Sequence, residues 1–223
     1  SATVPLRLPT TVIRRKDTPM KILAINGSHR PGKGTAALLQ VALDAAAAKG
    51  AQTELVELSR LDIRYCAGCN SCMTKACCPL EDDMHDLVHK MLPADGIILG
   101  SPDYFSGVTS RMKTFIDRTR PLHMVENALK GKVGGAVVTA GLTDCGGEST
   151  LAQLYAFLAT QEMIAVHPRP MGTVMGNGTL ATQFAGLSEE GRPQWRNVQS
   201  DPVGLAYARQ LGEDMVDLIN RLA

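Results

Sequence analysis

Aromatic residues make up only 4% of this 223-residue chain, with a single Trp195. Binding sites for single-stranded nucleic acid stack successive bases on several rings, so such a site is not indicated. Charge of one sign is also missing. Lys and Arg number 23 against 22 Asp and Glu, a net charge of +1, which gives no electrostatic footprint for nucleic acid or an anionic membrane. No run of about 18 apolar residues exists to span a bilayer. The first residues lack the continuous apolar stretch of a secretion signal. Arg14-Arg15 has the look of a twin-arginine signal, but Lys16-Asp17-Thr18-Pro19 follows where an uncharged apolar region is required. The expectation is a cytoplasmic protein with no nucleic-acid and no membrane partner, long enough for one core and short for two. Hydrolytic chemistry lacks its parts too, because no nucleophile elbow, Ser-His-Asp order or paired carboxylates stand out.

Against these absences stands an alternation of apolar runs and helical periods. Residues 21–26, KILAIN, form the short apolar run of a parallel strand buried on both faces. Residues 35–49 are rich in Ala and Leu, spaced as a helix and ending near Gly50. A second strand is expected over 53–58 and a helix over 83–92, where Met84, Leu87, Val88 and Met91 recur at i, i+3, i+4 and i+7 and supply one apolar face. Further strands are expected over 96–100, 133–139, and 163–166 with 171–174, and further helices over 108–118 and 147–159. Five alternations predict a doubly wound α/β domain over 20–223, with residues 1–19 a peripheral arm. Residues 176–200, rich in Gly, Ser, Thr and Gln, read as a long loop before a closing helix over 202–222. In such a sheet ligands bind beyond the carboxyl ends of the strands, which singles out the loops after Asn26, Gly100 and Thr139.

The first of these loops, Gly27-Ser28-His29-Arg30-Pro31-Gly32-Lys33-Gly34-Thr35-Ala36, joins a buried strand to a helix. Backbone N–H groups and a helix N-terminus hold phosphate in that geometry. Gly27, Gly32 and Lys33 fit a nucleotide-triphosphate loop, yet Gly34 stands where Ser or Thr must meet magnesium, and the strand 96–100 ends without an acid. A dinucleotide G-x-G-x-x-G is absent as well. A mononucleotide phosphate held by Ser28, Arg30, Thr35 and local amides fits better. The second loop is Ser101-Pro102-Asp103-Tyr104-Phe105-Ser106-Gly107, with two rings where a flat ligand would lie. The third runs from Thr139-Ala140-Gly141 to Cys145-Gly146-Gly147-Glu148-Ser149-Thr150.

On these three loops, over roughly residues 20–175, the sequence resembles the NADPH-dependent FMN reductase branch of the flavodoxin-like proteins. The resemblance implies a flavodoxin-like five-stranded parallel sheet of order 2-1-3-4-5 and FMN as cofactor. It places the phosphate on Ser28, Arg30, Gly34, Thr35 and Ala36. The isoalloxazine edge falls to Pro102, Asp103, Tyr104, Phe105 and Ser106, and to Thr139, Ala140, Gly141, Gly146 and Gly147. No catalytic acid or base is implied, since the protein tunes the flavin rather than supplying the chemistry. Two positions depart from the family pattern: His29 stands where Pro is common, and Gly34 where Asn is common.

Five of the six cysteines lie between residues 66 and 78. In a chain that is not exported, such clustering points to a metal, a cluster or redox thiols rather than structural disulfides. Cys66, Cys69 and Cys72 make two C-x2-C steps, followed by Cys77-Cys78-Pro79. This is close to the ferredoxin run C-x2-C-x2-C-x3-C-P with a longer last gap, so the fourth ligand is Cys77 or Cys78. Structural zinc more often takes two separated knuckles. The segment also resembles that of the iron-sulfur flavoproteins, whose final cysteine shortly precedes an acidic pair like Asp82-Asp83, which favours Cys78. That resemblance implies a 4Fe-4S cluster on Cys66, Cys69, Cys72 and Cys78 in an insertion loop, 59–82, and a homodimer or homotetramer. It further implies an electron-transfer oxidoreductase with a ferredoxin-like or NAD(P)H donor and a small acceptor such as a quinone, oxygen or peroxide. The alternative is a cluster-free NAD(P)H-dependent FMN or quinone reductase. Asp82, Asp83, His85, Asp86 and His89 read as acids at a helix start and exposed histidines, not as a metal site. Cys145 reads as a free packed thiol.

Overall fold

A computed structural model of the chain describes residues 18–142, 145–170 and 178–223. At its centre, β1 (Lys21–Asn26) buries every residue after Lys21. It pairs in parallel with β2 (Gln52–Glu57) on one side and β3 (Gly96–Pro102) on the other. β4 (Val133–Ala140), buried along its whole length, follows β3 in parallel. The fifth place in the sheet is shared by two short strands. β5 (Ile164–Ala165) pairs with β4 at Val133 and Gly134, and β6 (Thr179–Thr182) pairs with it from Val137 to Ala140. The order β2-β1-β3-β4-β5 is the flavodoxin-like one expected.

Alternation along β1 builds two cores. Leu23 and Ile25 pack with α2 (Met84–Met91), α3 (Ser110–Arg118), α4 (Arg120–Met124) and α5 (Gly147–Thr160). Ile22 and Ala24 face α1 (Gly34–Ala48) and α6 (Pro202–Leu222). The two helices of the second layer cross closely at Gly212, where a Cβ would stand 2.0 Å from the Ala42 carbonyl oxygen.

Three expectations need correction. The fifth strand is broken: 163–166 supplies only the two residues of β5, and 171–174 lies outside the described residues. The remaining edge comes from β6, in a stretch expected to be loop; its TLAT sequence has no apolar run and owes its burial to β4 and to α6, where Gly204 abuts Ala181. The same stretch holds a hairpin of β7 (Phe184–Leu187) and β8 (Pro193–Trp195), with Phe184 edge-on to Trp195 at 6.2 Å. The helix expected over 108–118 begins at Ser110, because the Thr109 side chain caps it by accepting the Met112 N–H at 3.1 Å. Of the arm expected over 1–19, residues 1–17 lie outside the described residues. Among the described residues no helix is long and apolar enough to cross a membrane.

Candidate functional site

Parallel register sets Asn26 beside Gly100 and Pro102 beside Thr139, so the three loops leave the sheet side by side. The first is folded by its own side chains. The Asn26 side chain accepts the Ser28 N–H at 3.0 Å and donates to Glu57 at 2.6 Å, and Glu57 accepts the Gly32 N–H at 2.9 Å. Ser28 Oγ accepts the Arg30 N–H at 3.1 Å and donates to the Arg30 carbonyl at 3.2 Å. Ser28 is thereby committed to shaping the turn, while Arg30 stays exposed. No side chain caps α1 and no acid stands in its first turn, which leaves the amides of Gly34, Thr35 and Ala36 to an incoming anion. Gly34 is required there, since a Cβ would stand 2.5 Å from a Val198 methyl.

The loops are stitched to one another. Thr35 Oγ1 and Thr139 Oγ1, both buried, meet at 2.8 Å. The Asp103 N–H donates to the Thr139 carbonyl at 2.8 Å, and Thr150 Oγ1 donates to Asp103 Oδ1 at 2.5 Å. Thr109 Oγ1 donates to the Gly27 carbonyl at 2.6 Å, tying α3 to the first loop. Phe105 and Ser106 both lie in the left-handed region, at φ 52° and 60°, a local strain that side chains other than glycine rarely carry outside functional turns. Gly146, at φ 108°, lets the third loop pass so close to the second that a Cβ would stand 2.2 Å from Ser106 Oγ. Space beside Gly141 is open, Ala140 is buried, and Cys145 donates its thiol to the Leu142 carbonyl at 2.9 Å. The two rings part company: Tyr104 stacks on His29 at 5.6 Å, whereas Phe105 is fully exposed. His29, at the place where Pro is common, thus has a partner of its own. An uncapped helix start, a ring of backbone polar groups and an exposed aromatic fit a phosphorylated flat ring system.

The cysteine segment forms a second site. Cys66, Cys69, Cys72 and Cys78 line one pocket of about 200 Å³ together with Asn70, Pro79, Arg118 and Arg120, while Cys77 is exposed and is not on its wall. All six cysteines are free thiols. The four share a pocket without converging: among the described residues no three His, Cys, Asp or Glu side chains stand close enough to hold a metal ion. In chemistry the donor set fits a sulfur-bridged iron cluster, whose ligands are thiolates. The Ser71 hydroxyl and then its backbone lower the Cys69 pKa, outweighing the opposing effect of desolvation, and the charge of Arg120 adds a lesser contribution in the same direction.

The base of this segment is a buried ion pair. Arg118 forks onto Asp82 at 2.5 and 2.9 Å, with both side chains 1% exposed, and also donates to the Arg64 carbonyl at 2.6 Å. Asp82 further accepts the Arg64 and Met84 N–H groups at 3.0 and 3.1 Å. Burial alone would raise the Asp82 pKa, but the Arg118 guanidinium and these amides outweigh it and hold the carboxyl below its ordinary range. His85 is within 3.0 Å of the Cys78 carbonyl. Asp82, expected as an acid at a helix start, does bond the Met84 N–H there and is also the anchor of the loop.

Two site residues carry no motif. Glu57 braces the first loop, and its only signal is an acid at the carboxyl end of β2. Arg118 follows Met112 and Phe115 on the buried face of α3, so a cation on an apolar stripe was its signal.

Comparison with known proteins completes this picture. The model of a family described as NADPH-dependent FMN reductase matches residues 20–174. An iron-sulfur flavoprotein of Methanocaldococcus jannaschii is 36% identical over 200 residues, 90% of this chain and 97% of the relative. An iron-sulfur flavoprotein of Archaeoglobus fulgidus is 34% identical, covering 89% and 95%. Among solved structures, a flavone reductase superposes with a TM-score of 0.65 at 21% identity, over 90% of this chain and 63% of that one, a likeness of fold.

Proposed function

The chain belongs to the NADPH-dependent FMN reductase family, and from that premise we propose that this flavin-dependent oxidoreductase is an electron-transfer enzyme with a 4Fe-4S cluster on Cys66, Cys69, Cys72 and Cys78 beside its FMN. The observation that supports the cluster is the pocket itself: four thiols line it, and the neighbouring Cys77 does not. When bound, FMN supplies one- and two-electron chemistry and the cluster one-electron chemistry, which together connect hydride-like and single-electron partners. The protein's own part is binding and orientation. The first-turn amides of α1 receive the phosphate, with Arg30 at the rim, and the Thr35–Thr139 pair fixes the distance between that site and the third loop. Backbone groups of Pro102, Asp103 and Ser106, and of Ala140, Gly141, Gly146 and Gly147, address the ring edge. Asp103 is held for this by Thr150. The donor is a ferredoxin-like protein or NAD(P)H, the acceptor a small quinone, oxygen or peroxide, and the working form a homodimer or homotetramer.

One observation favours the cluster-free reductase as a second reading: the thiols, as they stand, do not converge. Single Ala substitutions separate the two. Cys66→Ala, Cys69→Ala, Cys72→Ala and Cys78→Ala should each lose iron and sulfide yet keep FMN, and Cys77→Ala should keep both. Iron retained in Cys78→Ala and lost in Cys77→Ala would move the fourth ligand. A parent protein without iron would leave the cluster-free reading.

A further inference from the structure

Arg118 is the largest fully buried side chain among the described residues. It occupies the inner face of α3 in line with Met112 and Phe115, where an apolar residue would complete the core. Burying a guanidinium is costly unless every donor is met, and a buried ion pair can often be exchanged for apolar side chains at no loss of stability. Fixing the loop therefore does not by itself account for a charge here. Two further facts bear on it. The Arg118 Nε–H is buried with no acceptor, although the rest of the fork is satisfied by Asp82 and the Arg64 carbonyl. Arg118 also lines the pocket of the four thiols, whereas Asp82 is not on its wall. The pair is an oriented dipole with its positive end toward the sulfurs.

Resting on the cluster reading above, we propose that Arg118 is a positioning residue whose fixed charge and spare Nε–H favour the reduced state of the cluster, raising its reduction potential. Reduction adds one negative charge to a group already bearing four thiolates. A cation and an N–H donor held beside the sulfurs stabilise that added charge, and burial keeps solvent from screening them. The guanidinium stays charged, as arginine does in proteins, with the Asp82 carboxylate as its partner. Arg120 lines the same pocket from a half-buried position, bonded loosely to Asn70 at 3.4 Å and to the Met73 sulfur at 3.6 Å. Its charge is nearer to solvent than that of the buried Arg118 and should count for less.

The test is an anaerobic redox titration of the cluster by electron paramagnetic resonance, with iron, sulfide and FMN counted on each sample. The variants are Arg118→Lys, Arg120→Gln and the double Arg118→Gln with Asp82→Asn, which leaves neither charge buried alone. Full iron and FMN are expected in all three. The reduction equilibrium constant of the double variant should fall about tenfold, about 59 mV for a one-electron couple. Arg118→Lys should recover most of that fall, and Arg120→Gln should move less than the double variant. A double variant with full iron and the parent's potential would overturn the proposal, leaving Arg118 a purely structural latch. Iron lost from both Arg118 variants with FMN retained would also overturn it, assigning Arg118 to assembly. Absence of iron and sulfide from the anaerobically purified parent would defeat the cluster reading itself, and this proposal with it.

Discussion

Thr35 and Thr139 come from different loops and meet hydroxyl to hydroxyl inside the protein. Removing one oxygen leaves the other buried and unpaired, a loss of about 1–3 kcal/mol. Thr35→Val should therefore weaken FMN about tenfold to a hundredfold. Riboflavin should weaken less, because it lacks the phosphate proposed to dock at the start of α1. Calorimetric titration of the apoprotein with both ligands measures the difference, and equal weakening would remove Thr35 from the phosphate site. Asp82 makes a prediction through its charge. Its folded pKa lies below the ordinary carboxylate value, so its stabilisation is complete above about pH 4 and is lost as pH falls through the depressed value. Urea unfolding of apoprotein between about pH 6 and 3 should show this decline, and Asp82→Asn should flatten it; an unaltered slope would contradict the buried pair. Thr35 was readable in the sequence because it sits in a strand-to-helix turn, whereas its partner was not, since the pairing exists only once β1 and β4 are set two strands apart. The cysteines were readable by spacing alone. Arg118 had only a weak signal, its spacing from Met112 and Phe115, because one cation within a helix period looks like an exposed residue until the helix is turned to face the core.

Among the elements, the strands that read correctly are those whose burial is written in their own composition. β1, β3 and β4 are near-continuous apolar or small runs, as strands covered on both faces must be. β6 is buried by its neighbours instead, with Thr179 and Ala181 inaccessible beneath α6, and nothing local marks TLAT as strand. The helix pair α1 and α6 offers a direct check on the packing. Gly212 lets α6 approach the backbone of α1 at Ala42, so Gly212→Ala should force the helices apart and cost about 1–3 kcal/mol. Thermal unfolding would register this as a lower Tm, and because the start of α1 is the proposed phosphate site, FMN should bind more weakly too. An unchanged Tm would mean that the crossing is looser than described.

At the scale of the whole molecule, α3 connects the two candidate sites. Thr109, its cap, bonds the Gly27 carbonyl at the start of the first loop, and Arg118, its last residue, lies on the cysteine pocket. Arg118 is nine positions beyond Thr109, about 13.5 Å along the helix axis. The sites are therefore adjacent yet built from different side chains, which is why FMN should survive loss of any one thiol ligand. The central claim, two cofactors in one chain, is tested most directly by an ultraviolet-visible spectrum of anaerobically purified protein before and after dithionite, with iron and acid-labile sulfide assayed on the same sample. A broad shoulder beyond the flavin bands that bleaches on reduction, with about four irons per chain as a cubane requires, is the expected result. Flavin bands alone, from protein never exposed to air, would contradict it and leave a flavin reductase with an empty cysteine loop.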